Sequence, residues 1–292
     1  MGHRAVIAGC CVALACGVGL PGCAGAKLRR EGEPLASAQA PSRQSLSHAA
    51  TAAMDRQDFE QARADLELLL KQAPRSAELH FRLGKVLQFQ ERQVEAEVEF
   101  HNALKYDPNY VGALVGLGQV EARLERPDDA LALFEKAIEV DPHQPEAHLA
   151  RGRTLEVLHR TDDALAAYFR SLELDPTRSQ AMLRVAVLLF EKGKGDQALV
   201  RLEQANLLTP DDPEILYRKG LVLSALGQPK RAVDDLTAAA EHAPQRAEIL
   251  VALASALEAD RRPDQARLAL ERARSLQPQL PIAVEPPGPV RR

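Results

Sequence analysis

Seven prolines fall 34 residues apart without one insertion: Pro74, Pro108, Pro142, Pro176, Pro210, Pro244 and Pro278. Twelve residues before each stands an alanine: Ala62, Ala96, Ala130, Ala164, Ala198, Ala232 and Ala266. Twelve before those stands Ala50, Gly84, Gly118, Gly152, Ala186, Gly220 or Ala254. Three columns that keep phase over seven periods mark a chain built by stacking one supersecondary unit.

Within the unit, apolar or small residues recur at helical spacing, as in His80, Leu83, Gly84 and Leu87, or Leu216, Gly220 and Leu223. Each unit therefore holds two helices of roughly 12–15 residues, about 20 Å long. A single hairpin of this kind cannot bury its apolar sides, so neighbours must stack. The small columns mark the closest helix approaches, where axes come within about 8–10 Å. Pro127, Pro229 and Pro263 suit the first turn of a second helix, and Pro145 and Pro213 that of a first, because those positions need no amide donor. The period-setting proline disfavours helix in the residue before it, which is Asp107, Asp141 or Asp175 in three units.

Composition closes other routes. Aromatics make up 4% with no Trp, against an all-β sandwich or an aromatic ligand pocket, while alanine and leucine dominate. The net charge of −4 lacks the basic footprint of a nucleic-acid binder. All four cysteines (Cys10, Cys11, Cys16, Cys23) precede the periodic part, which excludes a disulfide framework or a structural zinc site there.

On these columns the chain resembles the tetratricopeptide repeat family, with repeats at 43–76, 77–110, 111–144, 145–178, 179–212, 213–246 and 247–280. The large residue of the family's second helix appears as Phe100, Phe134 and Tyr168, then as Leu202, Leu236 and Leu270. The early tryptophan position is held by Leu46, His80, Leu114, His148, Met182, Leu216 and Leu250, and the first repeat departs most, with Leu66 and Leu69. The resemblance implies an all-α, right-handed α-solenoid over residues 43–280.

It also implies that the first helices line a concave groove through repeat positions 2, 5, 6, 9, 12 and 13. Phe81, Leu149, Leu183 and Tyr217 occupy the fifth position, and Arg82, Arg184 and Arg218 the sixth. Lys85, Gln119 and Arg153 stand at the ninth; Phe89, Arg123 and Phe190 at the twelfth or thirteenth. Aromatics and arginines are the usual anchors of binding hot spots, and an arginine fork matches a carboxylate. The expected partner is a protein or peptide segment with acidic and apolar side chains. The competing reading packs position five between helices and leaves the arginines to solvate an exposed face.

No catalytic constellation stands out. Gly193-Lys194-Gly195 lacks the spacing of a phosphate-cradling loop. His80 and His148 share a column that reads as packing. Glu78, Glu146, Glu214 and Glu248 fall in a helix first turn, where the dipole favours acids. No catalytic activity, cofactor, metal or small-molecule substrate is expected.

The amino terminus reads as an address. After Arg4 the run from Ala5 to Ala26 carries no charge, with an apolar core to Leu20. It ends in Leu20-Pro21-Gly22-Cys23, which resembles the lipobox of bacterial lipoproteins, although Pro21 departs from the usual residue there. Ile7-Ala8-Gly9-Cys10 fits the box residue by residue, but too short an apolar stretch precedes it. The resemblance implies a signal peptide over 1–22, acyl chains at Cys23 and a stable membrane anchor. Ala24, in place of the aspartate that retains such proteins at the inner membrane, favours the outer membrane, facing the periplasm. An uncleaved span is one alternative, and Lys27, Arg29 and Arg30 would then keep the remainder cytoplasmic; ordinary secretion with removal of the segment is the other.

Residues 23–42 read as a flexible tether, with a reach of about 25 Å. Residues 281–292, with Pro281, Pro286, Pro287 and Pro289, read as a disordered tail. The final repeat's outer face is left to its own polar residues (Arg267, Glu271, Arg274), to Ile282 and Val284, or to a partner. These features point to a lipid-anchored adaptor that helps assemble an envelope complex; a cytoplasm-facing scaffold and a repeat subunit of an enzyme complex are the alternatives. Cys23→Ala is expected to abolish incorporation of radiolabelled fatty acid, and persistent labelling would contradict the assignment.

Overall fold

The computed structural model describes residues 42–279. The leader with Cys23, the tether up to residue 41 and the tail from residue 280 lie outside the described residues.

The described residues form an α-solenoid of fourteen helices and no strands. In chain order these are α1 (Arg43–Asp55), α2 (Phe59–Gln72), α3 (Ala77–Phe89), α4 (Gln93–Tyr106), α5 (Val111–Arg123), α6 (Pro127–Val140) and α7 (Pro145–Val157). Then follow α8 (Thr161–Leu174), α9 (Ser179–Glu191), α10 (Gly195–Leu208), α11 (Pro213–Ala225), α12 (Pro229–His242), α13 (Ala247–Ala259) and α14 (Pro263–Leu276). Every odd helix has 13 residues and every even one 14. None of the described helices is long and apolar enough to cross a membrane.

Both turns have a local cause. Two residues past each odd helix the backbone is left-handed, with φ of 58–62° at Gln57, Glu91, Glu125, His159 and Arg261 and 72–74° at Gly193 and Gly227. The N–H of that residue donates three residues back and the next N–H donates five back. Glu125 thus bonds Ala122 at 3.3 Å, and Arg126 bonds Glu121 at 2.9 Å. These two bonds satisfy the last carbonyls of the helix and close it. Only glycine takes this φ without cost, so each of the five larger residues stores on the order of 1 kcal/mol. After the even helices, Asp107, Asp141 and Asp175 accept the N–H two residues on, at 3.0–3.1 Å, which fixes the Asp-Pro turn. The five prolines read as helix starts do occupy first turns.

Each odd helix packs on the even helix that follows it, and each even helix on the next odd one. Odd helices also meet side by side: α3 meets α5, α5 meets α7, and α9 and α13 both meet α11. The odd helices therefore lie on the inner side of the stack, in closest mutual contact within repeats two to four and within repeats five to seven.

The seam is set by a size match. Phe100, Phe134 and Tyr168 are buried against Gly84, Gly118 and Gly152, respectively. A Cβ at Gly118 would come within 2.6 Å of the Phe134 ring, and one at Gly152 within 2.6 Å of Tyr168. Where the even helix carries Leu66, Leu202 or Leu270, the odd helix carries Ala50, Ala186 or Ala254. Big opposes glycine; leucine opposes alanine. Gly220 with Leu236 is the exception, and there the leucine closes down on the glycine.

Gly118→Ala is accordingly expected to destabilise the array by about 1–3 kcal/mol through overpacking. Adding Phe134→Leu should recover part of that loss, since it recreates the Ala186–Leu202 pair. Urea unfolding of the two single variants and the double variant checks this; strictly additive losses would contradict it.

Candidate functional site

The odd helices present the residues expected in the groove, and the structure sorts them into different roles. Phe81 is half-buried, its ring centroid 5.2 Å from Tyr110 and 6.1 Å from Phe100, so it is largely a packing residue. Leu149 is only 2% exposed and belongs to the core. It offers no platform to a ligand, because its side chain is spent in the core cluster that also holds Leu131 and Leu165. Leu183 is half-buried on the same face.

Phe89 stands out at 57% exposure, stacked on Phe59 with centroids 5.0 Å apart and planes 8° from parallel. The Lys85 ammonium lies 5.7 Å from the Phe89 centroid. Burial pulls the Lys85 pKa down, while the charge of Glu146 pulls it up by less. Tyr217 is flanked by the guanidinium groups of Arg218 and Arg246, at 5.5 and 5.4 Å from its ring.

The cationic residues divide along the chain. In repeats two to four, Arg82 donates to the Thr51 hydroxyl at 2.7 Å and Arg153 to the Gln180 amide oxygen at 2.6 Å. Arg123 is exposed. Together with Lys85 these are four cations without an ion-pair partner among the described residues. Gln119 reaches the Glu146 carboxylate at 3.3 Å.

In repeats five to seven the heads are engaged. Arg184 pairs with Glu156, its Nε 3.1 Å from Oε1. Glu214 accepts from Arg218 at 2.6 Å and from Arg246 at 2.8 Å, and Arg246 also holds Glu248. Arg184 and Arg218, read as groove residues, thus each hold a carboxylate of this chain. Burial, with Arg218 and Arg153 nearby, lowers the Arg184 pKa.

The first-turn glutamates do more than favour the helix dipole. Glu146 and Glu214 each bind an arginine 32 residues on, Arg178 and Arg246, and so tie both ends of a repeat together. The histidine column packs, as read from the sequence. His80 and His148 each place Nε2 3.1 Å from a prolyl carbonyl, of Pro74 and Pro142, and His80 Nδ1 lies 2.6 Å from Glu99. Gly193 serves the left-handed turn, and Gly195 begins α10.

Glu97, His101 and Glu121 bring ligand atoms within 4.8 Å of one another, but Arg126 already lies against both carboxylates, at 3.4 and 3.1 Å. Two clefts remain. One, of about 220 Å³, opens between α9 and α11 over Leu202, with Phe190 and Arg218 in its wall. The other, of about 240 Å³, lies on the even-helix side over Leu83 and Leu87, flanked by Val94, Val98 and the carboxylates of Glu67, Glu95 and Glu99.

Tetratricopeptide repeat models match residues 49–104, 95–145, 115–179, 158–218 and 217–281. The chain belongs to the tetratricopeptide repeat family. Among solved structures, this tetratricopeptide repeat protein is similar to PilF of Pseudomonas aeruginosa, with 19% identity and a TM-score of 0.65 over 70% of this chain and 93% of that one. PilW, a widely conserved type IV pilus biogenesis factor, gives 18% identity and 0.64 over 70% and 96%. YrrB, a tetratricopeptide repeat protein with an unusual peptide-binding site, gives 19% and 0.56 over 63% and 95%. At these identities the likeness is one of fold. No curated protein matches the chain.

The ion pairs carry a pH dependence. Burial pushes the Glu214 pKa up, but the bonds from Arg218 and Arg246 outweigh it, and the net shift is downward. A carboxylate with a depressed folded pKa contributes stability above its unfolded value, about 4.3, and loses it as pH falls through the folded one. Urea midpoints of Glu214→Gln should therefore fall less steeply below pH 5 than those of the unaltered chain; parallel pH profiles would contradict this.

Proposed function

We propose that this protein is a lipid-anchored adaptor of a bacterial cell envelope that binds a segment of another protein along its odd-helix face. The carrying observation is the row Arg82, Lys85, Arg123 and Arg153. These are four cations without carboxylate partners among the described residues, beside the exposed Phe89 ring, in a protein that is acidic overall. A polypeptide bearing carboxylates and apolar side chains complements that row, because carboxylates accept from arginine forks and apolar groups cover aromatic faces. A repeat array suits binding because stacking leaves an extended face. Its work in this reading is recruitment and not catalysis.

The anchor rests on the Leu20-to-Cys23 box, and Ala24 favours the outer membrane with the array in the periplasm. The fold likeness to PilF and to the pilus biogenesis factor PilW, and to YrrB with its peptide-binding site, supports a role in assembling an envelope complex. Choosing a particular complex from fold alone would be analogy.

The test is affinity capture from detergent-solubilised envelopes, with the captured protein identified by mass spectrometry. Arg123→Glu with Arg153→Glu should lose it at least tenfold with unchanged helicity by circular dichroism. Equal capture by the folded double variant would move the site elsewhere.

A further inference from the structure

The cleft over Leu202 lies where the aromatic filler of repeats two to four gives way to a leucine. In repeat two the Phe100 ring fills the space between consecutive odd helices, lying against Gly84 of its own repeat and Gly116 of the next. A Cβ at either glycine would come within 2.7 Å of the ring. Phe134 and Tyr168 fill the same space in repeats three and four. In repeat five the filler shrinks to Leu202, while its neighbour Ala186 grows by only one methyl group.

Two further features keep that space open to the surface. The position equivalent to Gly116 is Arg218, whose head turns away to Glu214, so that only its stem walls the opening. In repeat six the same leucine, Leu236, closes on Gly220 instead. The result is a mainly apolar cleft of about 220 Å³ at the inner surface, lined by Val187, Phe190, Leu202, Leu221 and Val222, with Glu191 and Arg218 also in its wall. For scale, an apolar cavity of about 150 Å³ takes up benzene.

We infer that this cleft is a socket for one leucine-, isoleucine- or phenylalanine-sized side chain of an incoming peptide segment whose acidic residues lie over Arg123 and Arg153. This deepens the reading of the odd-helix face as the binding face and rests on it. Charge decides the orientation. Of the cations at groove positions, those without an ion-pair partner among the described residues lie in repeats two to four, whereas Arg184 and Arg218 in repeats five and six hold carboxylates of this chain. An acidic stretch therefore gains most toward α5 and α7, and the apolar residue gains at α9 and α11. That separation is two to three helix spacings, on the order of 20–30 Å. An extended segment spans it in fewer than ten residues, at about 3.3 Å each. Burying one such side chain corresponds to at least about tenfold in affinity.

The probe is a phage-displayed library of random 16-residue peptides, panned against the full chain in detergent. Enriched peptides should carry an Asp/Glu cluster and a single large apolar residue at a fixed offset. Replacing that residue by alanine in the synthetic peptide should weaken binding tenfold or more on the unaltered chain. On Ala186→Gly with Leu202→Phe the same replacement should change nothing. That variant rebuilds the aromatic-on-glycine pairing of repeats two and three, and Gly152 with Tyr168 already carries it beneath Arg184. Val187→Gln, which places an amide at the mouth, should act likewise and stands in if the first variant does not fold. Enriched peptides lacking an apolar anchor, or an anchor that matters as much on these variants as on the unaltered chain, would overturn the socket. If binding then still failed on Arg123→Glu with Arg153→Glu, the binding face would survive. No enrichment, or peptides indifferent to every variant, would overturn both.

Discussion

The structure depends on one steric fit, repeated seven times. A single small residue on each odd helix faces a single large one on the even helix that follows. The sum of the two sizes sets how near the axes come. Because interiors pack like crystals, an error of one methyl group at Gly118 or Gly152 is felt at once. The left-handed turn after every odd helix then fixes the phase at which the even helix begins. Together these two constraints make each repeat a copy of the last, which is why the chemistry of the inner face can be read as rows.

Much of this was open to inspection in the chain itself. The proline, alanine and glycine columns locate both helices of each repeat, since proline acts through its own ring and needs no tertiary context. The turn was nearly invisible, because Gln57, Glu91, Glu125, His159 and Arg261 are poor indicators of positive φ. Only Gly193 and Gly227 hint at it. The Asp-Pro pairs were legible as helix stops, but not as aspartates that accept the amide two residues on.

The groove was legible by row and not by role. Repeat position places a residue on the inner face, yet burial depends on what the next repeat supplies. Leu149 sinks into the core, while Phe89 stays in the open. Likewise the charge of an arginine follows from its sequence, but its availability depends on partners 28 or 32 residues away, as with Glu156 for Arg184 and Glu214 for Arg246. The electrostatic polarity of the face, open cations first and satisfied ones later, emerges only when successive repeats are laid side by side.

The even helices carry exposed apolar side chains of their own, including Val94, Val98 and Leu207, and a cleft beside Val94. The claim that recognition belongs to the odd-helix face is therefore a claim about one of two surfaces. Hydroxyl-radical footprinting of the chain with and without its captured partner separates them most directly. The account predicts lost reactivity at Phe89 and Phe190, with Val94, Val98 and Leu207 unchanged. Protection of the valines and Leu207, with both phenylalanines still reactive, would contradict it.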